Sequence, residues 1–112
     1  MINITVIKSN NNIISIEATG HSCFRESGND IICSAVSTLL ESLINGLTEI
    51  IKIKANYNID GKIPHLFVGI DKTMEKSKMR DAQILMQTTL LGIKSVAKEF
   101  SSKYIKIKEK QV

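Results

Sequence analysis

Two side chains that could act together in catalysis, His21 and Cys33, lie twelve positions apart in the first third of the chain. A thiolate attacks carbonyl carbon atoms, and an imidazole beside it can accept the thiol proton and later protonate the leaving group. This spacing is not a general signature of any enzyme class. The chemistry therefore depends on whether the fold brings the imidazole to the sulfur.

The sequence around Cys33 favours a reactive thiol. Asp30 precedes a long helical pattern and is a good N-cap, which predicts that Cys33 lies in the first helical turn. The free amides and the dipole of a first turn favour an anion, so a thiol there ionises readily, and the same amides can stabilise an oxyanion. Ser37 follows one turn later on the same face and can donate a hydrogen bond into the site. Asp30 can cap the helix, orient the imidazole, or do both.

A loop of nine residues, 21–29, separates the second predicted strand from this helix. It is long enough to carry His21 back over the helix start. Gly20 and Gly28 bracket the loop and can serve as hinges of a lid. Against this interpretation, a cysteine on a helix is usually a core residue, and a histidine at a strand end is usually a polar surface residue. The residue pattern alone leaves both interpretations open.

Other uses of the same side chains are less well supported. His21, Cys23 and Cys33, with the remote His65, are possible zinc ligands, but the chain has no CxxC pair. The spacing of Cys23 and Cys33 also differs from that of a CxxC oxidoreductase motif. No export signal opens the sequence, so we expect a cytoplasmic protein with reduced thiols and Cys23 as a bystander. We predict no metal and no cofactor.

Length and composition exclude several broad classes of protein. The 112 residues are 43% hydrophobic and 23% charged, which is close to the globular average and excludes a disordered or collagen-like chain. The length predicts one domain, residues 1–112. No apolar run approaches the roughly 18 residues of a membrane helix, so we expect no membrane partner.

The charge is unevenly distributed along the chain. Residues 1–50 carry two basic and five acidic side chains, a net charge of −3, whereas residues 51–112 carry thirteen basic and six acidic side chains, a net charge of +7. A basic half can attract RNA or an anionic particle, but a solvated lysine face is the commoner explanation of such a charge distribution. Because the aromatic–basic interleaving of an RNA-stacking surface is missing, we do not expect direct nucleic-acid binding.

The hydrophobic periodicity predicts an α+β two-layer sandwich of order β-β-α-β-β-α, with two helices on a largely antiparallel sheet. Alternating residues predict strands at 2–8, 13–19, 52–59 and 63–70, and a possible C-terminal edge strand at 103–109, blunted by lysines. Apolar spacings of three and four predict helices over 31–51, after Asp30, and from about 71 or 73 to 100. Both helices carry more apolar positions than one sheet face needs, and a homodimer interface would bury them.

The segment from Gly20 to Ser37, GHSCFRESGNDIICSAVS, resembles the ribosomal-processing cysteine protease Prp family. The shared pattern is a Gly-His pair, a loop ending in Gly-x-Asp, and the run Ile-Ile-Cys-Ser-Ala-Val-Ser, and the resemblance in length and element order extends over essentially the whole chain. The departures are mild. Ser22 and Ser34 stand where alanine is usual, Ile32 stands where valine is usual, and Cys23 is an addition that makes a disulfide with Cys33 possible.

The resemblance implies a cysteine endopeptidase with Cys33 as nucleophile and His21 as general base and acid. It implies supporting positions at Asp30, Ser37, Gly20 and Gly28. It also implies a homodimer whose substrate is a short, apolar and aromatic N-terminal extension of a large-subunit ribosomal protein, removed so that this protein can function in the ribosome. The alternative from another class is a non-catalytic ribosome-associated or RNA-binding assembly module.

Overall fold

The computed structural model describes residues 1–20, 27–60, 65–100 and 104–112, without the side chains of residues 27–30 and of Asp60. The strands are β1 (Ile2–Ser9), β2 (Asn12–Thr19), β3 (Ala55–Asp60), β4 (His65–Ile70) and β5 (Ile105–Gln111). The helices are α1 (Ser27–Asn45), which continues as a π-helical turn (Gly46–Ile50), and α2 (Lys76–Phe100).

The five strands form one sheet in the order β3-β4-β2-β1-β5. All neighbouring pairs are antiparallel except β1 and β5, which are parallel. Asn10 and Asn11 connect β1 to β2 with φ angles of 51° and 66°, as a tight two-residue hairpin turn requires. The predicted α+β sandwich is confirmed, including the C-terminal edge strand.

Both helices cover one face of the sheet. Alternate strand residues are buried against them, among them Ile4, Val6, Ile16 and Val68. From the helices, α1 contributes Ile32, Val36, Leu40 and Leu43, and α2 contributes Ala82, Met86, Leu90 and Ile93. Strand side chains alternate between the two faces, so the opposite face carries Thr5, Glu17, Asn58 and His65 and is more polar, although Ile7 and Phe67 also lie on it.

The first helix differs from the prediction in its hydropathy. Residues Ile31–Ile50 have a mean hydropathy of 1.4, and by length and composition this segment is sufficient to cross a membrane. We expected no segment to be as long and apolar as a membrane helix, and this expectation is wrong for Ile31–Ile50. The expectation counted unbroken apolar runs, whereas mean hydropathy averages over the whole segment, including the serines and the asparagine that interrupt the run. The core helix of a globular domain passes the same test, and the apolar stripe of α1 packs on the sheet.

Candidate active site

One end of the sheet is formed by the end of β2, the start of β4 and the end of β3. Thr19, the last residue of β2, pairs with His65 at the start of β4, and His65 pairs with Asp60 at the end of β3. Gly20 follows Thr19 at this end. His21, like Cys23, lies outside the described residues, which resume at Ser27, the first residue of α1.

Gly20 occupies a position that no larger residue fits. It is buried, and a Cβ atom placed on it would lie 2.5 Å from the Met1 carbonyl oxygen and 3.0 Å from the Ile2 Cα atom. Both of these atoms belong to backbone, which cannot rotate away. Glycine therefore allows β2 to pass closely by the N-terminus of β1 immediately before His21, a steric reason that is independent of any hinge movement.

Cys33 lies on α1 at the boundary between its buried and its solvent-facing side. Its thiol is free and half-buried, and its side chain packs against the hydrophobic core. The neighbouring Ile32 is buried, whereas Ser34 is exposed. Packing against the core therefore holds one side of Cys33, and the residue is not fully enclosed.

The start of α1 corrects one sequence prediction. The helix begins at Ser27, so Asp30 is not its N-cap and Gly28 lies within the helix instead of at the end of a loop. Cys33 is consequently in the second turn, about 4.5 Å along the axis beyond Asp30. Because the dipole effect decreases beyond the first turn, the helix stabilises an anion at Cys33 less than predicted. Serine, glycine and asparagine at 27–29 suggested a loop, although serine and asparagine also suit helix starts.

Ser37 follows Cys33 by four residues and is also half-buried. Since both residues lie within α1, the predicted shared face is confirmed. The same face leads away from Cys33 toward a groove of about 430 Å³ between the C-terminal half of α1 and β3. Sequence analysis did not identify this groove, because the distance between a helix and a strand depends on packing.

His65 is separate from this site. Its Nε2 atom lies 2.7 Å from Glu17 Oε2, and its Nδ1 atom lies 2.9 Å from the Asn58 amide nitrogen. With the Asn58 amide donating to Nδ1, the Nε2–H group donates to the carboxylate, so both ring nitrogens are engaged. His65 alternates with the buried Leu66 and therefore faces the polar side of the sheet. Within the described ranges, no three His, Cys, Asp or Glu side chains are placed to hold a metal ion.

Comparison with known proteins identifies the family. A family model described as cysteine protease Prp matches residues 1–106. The chain belongs to this family. A curated relative, the ribosomal processing cysteine protease Prp of Bacillus subtilis (strain 168), is 21% identical over 101 residues, which are 89% of this chain and 90% of the relative. The predicted family and the predicted enzyme class, a cysteine protease, are therefore confirmed.

Solved structures share the fold over nearly the full length. The structure of SMU.848 from Streptococcus mutans is 30% identical, has a TM-score of 0.87, and the match covers 100% of this chain and 96% of that chain. The ribosomal processing protease Prp from S. aureus, solved in complex with a substrate peptide, is 19% identical with a TM-score of 0.82, and the match covers 97% and 99% of the two chains. These matches confirm the two-layer architecture.

Proposed function

We propose that this protein is the endopeptidase that removes the short N-terminal extension of a large-subunit ribosomal protein during ribosome maturation. The supporting observation is a free, half-buried Cys33 thiol on α1, the helix that follows the His21-bearing segment along the chain, in a member of the Prp family. Relatives from Bacillus subtilis and Staphylococcus aureus are named ribosomal processing cysteine proteases. The S. aureus protein has been solved with a substrate peptide and with a covalently linked product peptide.

In the proposed mechanism, His21 accepts the Cys33 proton and the thiolate attacks the scissile carbonyl carbon. His21 then protonates the leaving amine, which produces a thioester on the Cys33 sulfur. The neutral imidazole next deprotonates a water molecule, and the resulting hydroxide attacks the thioester to release the acid and regenerate the thiol. Asp30 and Ser37 have supporting roles, in orienting the imidazole and in donating a hydrogen bond, and Gly20 and Gly28 belong to the frame around His21.

We also propose that the protein acts as a cytoplasmic homodimer. Large apolar side chains stay exposed on α2, with Ile84 60% and Leu91 64% accessible. They are seven residues apart and therefore share one helical face, a pattern that a second copy could cover. Sedimentation velocity on the wild type should give a dimer mass, and Leu91→Lys should shift it toward the monomer mass. A monomer at all concentrations contradicts this assembly.

The decisive experiment is incubation of the protein with a peptide copied from the N-terminus of the host's own ribosomal protein, read by mass spectrometry. The wild type should cleave it at one bond. Cys33→Ala, Cys33→Ser and His21→Ala should not, whereas Cys23→Ala serves as the matched control and should keep full activity. Full activity of Cys33→Ala would rule out the mechanism. An RNA-binding module without chemistry would instead show salt-dependent RNA affinity that survives the loss of Cys33.

A further inference from the structure

The groove between α1 and β3 has apolar walls that no other part of the described chain covers. Tyr57 and Ile59 of β3 pair in register with Val68 and Leu66, which are core residues on the helix-facing side of the sheet. Tyr57 and Ile59 therefore also face the helix layer, yet they are 54% and 50% exposed. Since β3 extends beyond the area that α1 covers, this apolar surface is available to a ligand.

The groove continues the helix face that carries Cys33. Ser37, Glu41 and Ile44 follow Cys33 by four, eight and eleven residues, which places each of them within about 80° of the cysteine around the helix axis. Glu41 and Ile44 line the groove. Glu41 lies about 12 Å beyond Cys33 along the axis. An extended peptide covers that distance with about four residues, so one polypeptide can reach both the sulfur and the groove.

The outer edge of β3 also suits an extended chain. β3 is the terminal strand of the sheet and pairs with β4 on one side only. The backbone groups of an edge strand can pair with an added strand, the mode by which many domains bind extended peptides. Side chains of such a peptide would alternate, with every second one directed toward Tyr57 and Ile59.

Two carboxylates give the groove a negative rim. Glu41 and Glu49 both line it and are both exposed. Neither forms an ion pair with a residue in the described part of the chain, whereas Glu109 pairs with both Lys8 and Lys94. Two unneutralised carboxylates beside apolar walls match a segment that combines apolar side chains with a basic one.

We propose that this groove binds the part of the substrate polypeptide that lies four or more residues from the scissile bond. The bound segment is extended, its apolar side chains contact Tyr57 and Ile59, and a lysine or arginine lies beside Glu41 or Glu49. This inference rests on the proposed function, since the occupant is the substrate of that reaction. A contact that is equally strong in the bound substrate and in the transition state lowers KM without changing kcat. We assign the groove contacts to this class, so the groove acts mainly on KM.

The first test combines groove variants with peptides of different length. We would measure kcat and KM for the complete extension peptide and for peptides shortened, from each end in turn, to three residues from the cleaved bond. Tyr57→Ser with Ile59→Ser should lower kcat/KM about tenfold for the complete peptide, through KM, and should leave one of the shortened peptides unaffected. The matched control is Val112→Ser, because Val112 is 71% exposed at the end of the other edge strand. An equal loss on every peptide, or no loss, overturns the proposal.

The second test reverses charges on both sides of the contact. Glu41→Lys with Glu49→Lys should weaken binding of the natural peptide three- to tenfold at low salt, and replacing the peptide's basic residues by glutamate should restore it. The difference should shrink as salt increases, because exposed charges are screened. Glu99→Lys, an exposed position on α2, is the charge-matched control. If the charge-reversed peptide does not regain affinity, the proposed contact with a basic side chain is wrong.

These measurements separate the groove from the catalytic proposal. Peptide binding to Cys33→Ala, followed by fluorescence anisotropy, tests the groove even if no peptide is cleaved. Cleavage of a shortened peptide by the wild type upholds the proposed function whatever the groove variants do. If Tyr57→Ser with Ile59→Ser changes only self-association in sedimentation velocity, a second copy of the chain occupies the groove and the inference is overturned.

Discussion

The two edge strands of the sheet differ in how they meet the solvent. At β5, Glu109 accepts hydrogen bonds from both Lys8, at 2.8 Å, and Lys94, at 3.1 Å, and Lys106, Lys108 and Lys110 are exposed along the strand. At β3, the exposed side chains include Tyr57 and Ile59 beside two unneutralised carboxylates. Charge along an edge strand opposes the addition of another strand. The charged edge strand β5 therefore disfavours pairing with a further strand, whereas the edge strand β3 can accept an extended peptide.

The same contrast extends to the two helices. Gln83 of α2 is buried and bonds both backbone groups of Ile13, accepting from its amide at 2.7 Å and donating to its carbonyl at 2.8 Å. This pair of bonds attaches α2 to the hairpin of β1 and β2. α1, in contrast, carries the half-exposed Cys33 and borders the groove. Both helices contribute to the core, and we infer that α1 in addition carries the proposed site, whereas α2 has a purely structural role around Gln83.

The largest expected effect is on the α1 side. Cys33→Ala should lower kcat/KM for the extension peptide by at least about 10³-fold, because it removes the attacking atom. The unfolding free energy should change little, since the side chain is only half-buried. Steady-state kinetics together with urea denaturation measure both quantities. A large loss of stability would mean that Cys33 is a structural residue and would remove this contrast between the two helices.

The largest expected effect on the α2 side is on stability. Gln83→Leu leaves the buried amide and carbonyl of Ile13 without partners and should lower the unfolding free energy by about 2–4 kcal/mol. Urea denaturation measures this loss, and the folded fraction should retain wild-type kcat/KM. Gln87→Leu, at an exposed position one turn further along α2, is the control and should be nearly neutral. Equal stability of the two variants would contradict the anchoring role of Gln83.

Gly20→Ala tests the buried position directly after β2 and immediately before His21 in the chain. The new Cβ atom would clash with the Met1 carbonyl and displace the chain, which should lower stability by about 1–3 kcal/mol and also reduce cleavage. Thermal unfolding and peptide cleavage assays measure these effects. Gly92→Ala is the control: its Cβ would meet only the Leu39 methyl groups at 3.2 Å, and the gain in helix propensity offsets that contact. If Gly20→Ala keeps wild-type stability and cleavage, the C-terminal end of β2 can move away from Met1 without cost.

The smallest expected effect is on the pH dependence of stability, through Glu109 in the charged edge strand β5. Hydrogen bonds from Lys8 and then Lys94 lower the pKa of Glu109 below its ordinary value of 4.5. A lowered carboxyl pKa contributes stability that is present above 4.5 and is lost as the pH falls through the lower folded-state value. Because the side chain is 34% exposed, Glu109→Gln should cost only about 0.2–1 kcal/mol at pH 7. Urea denaturation between pH 3 and 7 should show that the unfolding free energies of the wild type and of Glu109→Gln converge at low pH. A difference that stays constant with pH would contradict a stabilising role of the Glu109 charge.

The sequence predicted the architecture well because each element had a clear periodic pattern. The strand alternation at Ile2 to Ser9 and the apolar spacing along α2 are properties of consecutive residues, which the sequence shows directly. The charged strand β5 was predicted for the same reason. The start of α1 was predicted wrongly, because Ser27, Gly28 and Asn29 suit a loop and a helix start equally well. The π-helical turn at Gly46–Ile50 was also missed, since it continues an unbroken helical pattern.

The residue types and their order along the chain determined the candidate nucleophile, the family and the two-layer fold, because these depend on local patterns and on a motif. The tertiary structure determined that Cys33 lies in the second helical turn, that β5 pairs with β1 in parallel, and that a groove follows the cysteine-bearing face of α1. The turn that holds Cys33 follows from where α1 begins, which the local signals left ambiguous, and the other two features depend on distances between residues that are far apart in the chain. Such distances follow from how helices and strands pack, which no short segment of sequence specifies.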